Sequence, residues 1–211
     1  MKTLIALLRG VNAGGAGGKI LPMDALTRLM SGLGYAHTQV DLDNGALLFE
    51  AEGGEPLEHA DAIAVAVERD LGPRVGVLVV TPEDLRQVVA GDPLQNEAGI
   101  DDQSLHVLFL FTAESDFGPS SVAAWSDAYR AVFGRLELPA TNGERAVFGG
   151  TPEISTPVVY LYLPHGSEST KLTGAFFERN LGTAATARDW RTVLALAERA
   201  EAGAEEPPAA A

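Results

Sequence analysis

The chain has 211 residues, 46% hydrophobic and 21% charged, the balance of a globular protein with length for one or two domains. It holds no cysteine, which excludes disulfides, thiolate metal sites and a cysteine nucleophile. Fifteen basic and 29 acidic residues give a net charge of −14, a surface that repels nucleic acid unless its cations cluster.

"TLIALL" (Thr3–Leu8) suits a buried strand. "PMDALTRLMSGLG" then repeats apolar residues at helical spacing, with Pro22 in the first turn and Gly34 at the C-terminal cap. "HTQVDLDNGALLFEAE" alternates on either side of Asn44-Gly45, a strong hairpin signal. A second helix, "LEHADAIAVAVERDLG", ends at Gly72, and "VGVLVV" (Val75–Val80) is a continuous buried strand. The order is βαββαβ, the ferredoxin-like plan. An extra helix opens at "TPEDLRQVVAG", with Thr81 as N-cap and Asp84 in the capping-box position.

The second half fits the same plan. Strands are expected at "LHVLFLF" (Leu105–Phe111), "ERAVFGG", "VVYLYLP" (Val158–Pro164) and "TAAT". Helices are expected at Ser120–Gly134, "TKLTGAFFERNLG" and "ARDWRTVLALAERA". "TPEDLRQVV" and "TARDWRTVL" align as capped helix starts, Thr81 with Thr186 and Asp84 with Asp189, which points to internal duplication or to shared capping chemistry. The expected organisation is a first half over 1–91, a linker over 92–104, a second half over 105–200 and a disordered tail over 201–211. The fold class is α+β, two ferredoxin-like halves each followed by an extra helix.

Three segments concentrate polar chemistry. "LLRGVNAGGAGGKI" places five glycines and Lys19 after the first strand. It fails as a P-loop: Ala13 stands where the first Gly is required, Ile20 where the magnesium-binding hydroxyl is required, and the helix starts late. It reads either as a plain connection or as an amide nest flanked by Arg9, Asn12 and Lys19, able to hold an anion. In "SESTKLTGAFFERNLG", Lys171 and four hydroxyl residues crowd a helix start; Ser169 or Thr170 is the expected cap, and Lys171 in a first turn opposes the helix dipole. In "TARDWRTV", Arg188 sits beside a cap and Trp190 reads as core. The four histidines lack metal-ligand spacing, so no metal and no cofactor are expected. Phe109, Phe111, Tyr160 and Tyr162 alternate along two strands; without an RNP-type motif, and in so acidic a chain, they read as core or inter-half packing and not as an RNA platform.

"IALLRGVNAGG", "YLYLPHGSESTKLTGAFFERNLG" and "ATARDWRTVLAL" together resemble the family of domain of unknown function 1697. The N-terminal signature falls on Leu8 to Asn12, Gly14 and Gly15. The C-terminal one falls on Lys171-Leu172-Thr173, Phe176-Phe177-Glu178-Arg179, Leu181-Gly182, Ala185-Thr186, Arg188, Trp190 and Thr192-Val193. The resemblance implies ferredoxin-like units and no established activity. The chain departs from the family pattern at the hairpin Asp43-Asn44-Gly45-Ala46, and at Asp189 and Arg191 where the family usually carries Asn.

Two functions lead the expectations, ahead of a hydrolase or transferase using scattered carboxylates, for which the sequence specifies no nucleophile. One is a small anionic-ligand or nucleotide-like binding protein, with Arg9, Asn12, Lys19, Lys171 and Arg188 lining the pocket. The other is a non-catalytic interaction module whose signature residues are structural. With one Lys and six apolar residues in "MKTLIALLRG", and no apolar run near the roughly 18 residues of a membrane span, the expected location is cytoplasmic, without membrane or nucleic-acid partners.

Overall fold

The computed structural model describes residues 1–11, 20–41, 45–95, 97, 99–111, 131, 133–136, 138, 142–149 and 156–205. Its strands are β1 (Lys2–Arg9), β2 (Ala36–Asp41), β3 (Ala46–Ala51), β4 (Gly76–Val80), β5 (Leu105–Leu110), β6 (Arg145–Gly149), β7 (Val158–Tyr162) and β8 (Ala185–Asp189). Its helices are α1 (Met23–Gly32), α2 (Pro56–Leu71), α3 (Pro82–Ala90), α4 (Gly174–Leu181) and α5 (Trp190–Glu205). The strands form two four-stranded antiparallel sheets, β2-β3-β1-β4 and β6-β7-β5-β8. This is the α+β architecture of two ferredoxin-like halves, each followed by a helix. The helix expected over 120–134 lies outside the described residues except for Ala131, Phe133 and Gly134.

The chain divides into two compact units, Met1–Pro82 with Ala195–Ala211, and Glu83–Leu194. In the first, Leu4, Ala6 and Leu8 of β1 join Leu47, Phe49, Val77 and Val79 on one sheet face, and α1 and α2 cover it with Leu26, Met30, Ile63 and Val67. Ile5, Leu7, Leu48, Leu78 and Val80 point to the opposite face, as period-2 alternation and the strand register require. The α5 residues from Ala195 onward pack on that second face. Arg199 donates to Asp41 at 2.6 Å, and Gly203 approaches Thr3.

Caps fix the helix ends. Glu55 and Glu58 form a capping box at α2, with Pro56 in the first turn, and Gly72 closes the helix at φ +92°. Behind α1, Leu33 is the C-cap and Gly34 follows at φ +84°. Buried His59 ties the β3–α2 connection. Its Nε2 donates to the Gly53 carbonyl at 2.9 Å, which leaves Nδ1 to accept from the Tyr35 hydroxyl at 3.0 Å. A Cβ on Gly54 would meet His59 Nε2 at 2.7 Å, so the imidazole itself demands a glycine there.

In the second unit, Leu108, Leu110, Val159 and Leu161 pack against Phe177 and Leu181 of α4. The opposite face carries Val107, Phe109, Tyr160 and Arg188. Tyr160 donates its hydroxyl proton to the Val88 carbonyl of α3 at 2.7 Å, so α3 lies over this face. Phe109 and Tyr160 are therefore buried core, as the sequence suggested; Phe111 and Tyr162 are half-buried.

Three boundaries differ from expectation. β8 continues to Asp189, and α5 begins at Trp190 rather than near 187, so Thr186 is a buried strand residue and not a cap. The α5 cap is Asp189, whose Oδ1 accepts the Thr192 amide at 2.9 Å. α4 starts at Gly174 behind Thr173, not behind Ser169 or Thr170. α5 also runs on to Glu205, five residues into the expected tail, on a run rich in the strong helix formers Ala and Glu.

Candidate functional site

The five residues expected to line a pocket come from three segments. Arg9 is exposed at the end of β1, paired in register with Gly76 and followed by Gly10 at φ +70°. Asn12 and Lys19 lie outside the described residues. Lys171 is exposed in the turn before α4, ahead of the Thr173 cap and so outside the helix's first turn; the argument that it opposes the helix dipole does not apply. Arg188 sits on a strand and not at a helix start. Its guanidinium donates to Thr186 Oγ1 at 2.8 Å and to the Ala187 carbonyl at 2.6 Å. By register Arg188 faces the α3 side of its sheet, whereas Leu172, next to Lys171, packs into the α4 side.

Three of the four hydroxyl residues that suggested an anion site bond the backbone, Ser169 by donating to the His165 carbonyl at 3.2 Å. Thr170 Oγ1 accepts the Leu172 amide at 2.9 Å, and Thr173 Oγ1 accepts the Phe176 amide at 3.2 Å. Glu178 reaches from α4 to accept the Ala185 amide at 2.9 Å, joining helix to strand. Asp189 takes both the amide and the hydroxyl of Thr192. Leu172, Phe177, Leu181, Ala185, Trp190 and Val193 are buried, and Gly182 adopts the left-handed conformation that closes α4. Of the C-terminal signature, Lys171 and Arg179 are the residues whose side chains stand in solvent without such a task on view.

Sequence reading missed three constellations. The first is a cleft of about 360 Å³ in the first unit, floored by Ala25, Leu29, Leu33 and Leu71 and rimmed by Arg28 and Arg69. Arg28 pairs with Asp24 at 3.0 Å and Arg69 binds Asp70 through two 2.6 Å hydrogen bonds, so the rim carries no net charge. No local signal reveals it, because the ends of two helices far apart in sequence create it. The second is half-buried His106, which desolvation holds below the ordinary histidine range while neighbouring Asp189 pulls the other way. The third is Asp92, a buried carboxyl in the segment read as linker.

Among the described residues no helix is long and apolar enough to cross a membrane, and no group of three or more His, Asp or Glu could hold a metal ion.

A family model described as protein of unknown function (DUF1697) matches residues 1–129. No curated protein matches the chain. The structure of a conserved bacterial protein, SP0830 from Streptococcus pneumoniae, is similar with a TM-score of 0.62 at 17% identity, covering 95% of this chain and 99% of that one. At that identity the likeness establishes the fold.

Proposed function

We propose a role for this chain, which belongs to the DUF1697 family of proteins of unknown function: it is a non-catalytic interaction module whose signature residues build the fold. The observation that supports this reading is the fate of the signature's polar groups. Thr173, Glu178, Thr192 and Arg188 spend their hydrogen bonds on caps, on a helix–strand tie and on their own strand. Threonine hydroxyls also answer the Leu172 and Phe176 amides, which weighs against an anion held by those amides. The net charge of −14 favours partners that present a basic face. We place the protein in the cytoplasm, and take the shared strand order of the two sheets as the product of a duplication.

Thermal denaturation with inorganic phosphate and nucleotides at up to millimolar concentration tests the reading. A ligand that binds only the native state must raise Tm. The expected result is no saturable shift. Arg188→Ala should destabilise by about 1–2 kcal/mol, whereas Lys171→Ala stays within about 0.5 kcal/mol of the parent. A saturable stabilisation by phosphate that Lys171→Ala abolishes would establish the anion pocket instead.

A further inference from the structure

Asp92, in the turn after α3, is 7% exposed. Its Oδ1 accepts the Leu94 amide at 2.8 Å. Its Oδ2 is buried and meets no donor among the described residues. Leu85 and Val88 of α3 and Leu94 of the same turn are fully buried. A Cβ on neighbouring Gly91 would stand 2.9 Å from the Gln87 carbonyl and 3.4 Å from the Tyr160 hydroxyl, so the turn has no slack. Tyr160 has committed its proton to Val88 and offers an oxygen acceptor.

The charged and titratable groups around Asp92 do not favour an anion. Glu97, held in an ion pair by Arg145 of β6, repels it. Tyr160 of β7 stays neutral, since burial and Asp92 together push its ionisation well up. A carboxylic acid, by contrast, turns its second oxygen into a donor and costs no buried charge.

We infer that Asp92 is a proton-operated latch: protonated, it closes the end of α3 onto the second sheet, and ionised, it loosens that turn. Burial, with a smaller push from Glu97, raises this carboxyl above the usual aspartate range, against the Leu94 amide, which lowers it. A group raised on folding contributes fully below its unfolded value, about 4. That contribution is lost as pH rises through the folded value.

The test compares the full chain with Asp92→Asn by thermal denaturation from about pH 4 to about pH 8. The amide keeps the acceptor for Leu94 and puts a permanent donor on the other side. The two melting curves should coincide at the acid end and separate as pH rises. At the alkaline end the Asn variant should melt on the order of 2–4 °C higher. Hydrogen exchange at the Leu94 amide should accelerate over the same interval in the parent, beyond its intrinsic pH dependence, and not in the variant. A gap that does not change with pH, or a parent that is the more stable at the alkaline end, overturns the latch. An Asp92 carboxyl carbon resonance that titrates within or below the ordinary aspartate range overturns it from the parent alone, even if the variant fails to fold.

Discussion

Gly149 shows what a single residue can fix. Its segment "ERAVFGG" is expected as a strand, and Gly149 is indeed the last residue of β6, with a φ outside the left-handed region. The constraint is steric. A Cβ there would stand 2.0 Å from Tyr160 Cε2 and 2.6 Å from Cδ2. Tyr160 cannot step aside, because its ring is buried and its hydroxyl is bound to Val88. Gly149→Ala should therefore cost about 2–3 kcal/mol, in the range of overpacked cores. Trimming the ring with Tyr160→Val in the same chain should recover part of that loss, giving a favourable coupling in a double-mutant cycle followed by urea unfolding. An Ala variant as stable as the parent would mean that the ring does not occupy this space. The sequence could not show any of this: the clash depends on Val147 pairing with Tyr160, which sets the ring diagonally across Gly149. The same holds for the candidate site. The residue types were visible, but whether Thr173 serves an anion or an amide is decided by backbone geometry.

At the scale of elements, hydrophobic runs made every strand of the first half legible, and caps and glycines placed α1 and α2 within a residue or two. The junction of β8 and α5 misled. Thr186-x-x-Asp189 imitates a capped helix start, but pairing with β5 from His106↔Asp189 to Leu110↔Ala185 holds all five residues extended. A tertiary ladder here overrides a local capping pattern, and the helix waits for Asp189, the last residue of the ladder. The alignment of Thr81 with Thr186 fails for this reason: Thr81 directly precedes α3, while Thr186 is buried in a strand. Asp189→Ala removes the acceptors of the Thr192 amide and hydroxyl together. It should lower stability by about 1–2 kcal/mol, with Asp189→Asn keeping most of it, whereas Thr186→Ser, which preserves the hydroxyl that Arg188 uses, should cost less than Asp189→Ala. Equal losses at the two positions in chemical denaturation would argue against Asp189 as the cap.

For the whole molecule, the strand order followed from the sequence, because a split βαβ unit must leave room for β3 between β1 and β2. The assignment of the two extra helices did not. α3 follows the first sheet in the chain but is tied to the second through Tyr160, and α5 follows the second sheet but from Ala195 onward belongs with the first. Both helices are amphipathic, and amphipathicity names a face to bury without naming the sheet that buries it. The exchange makes the C-terminal segment part of the first unit's core. Leu196 and Ala200 are buried, and Arg199 holds Asp41 and Gln39 on edge strand β2. Ending the chain at Leu194 should strip cover from the face of Ile5, Leu7 and Leu48. At roughly 25 cal/mol per Å² of apolar surface, that loss amounts to about 3 kcal/mol or more. Hydrogen exchange resolved by residue should show protection falling first at β1 and β3, and a synthetic peptide of residues 190–205 added to the shortened chain should restore part of it. Retention of full protection in β1 and β3 without residues 195–211 would show that the first sheet does not depend on α5. The packing of Leu196 and Ala200, and the hold of Arg199 on β2, require the opposite.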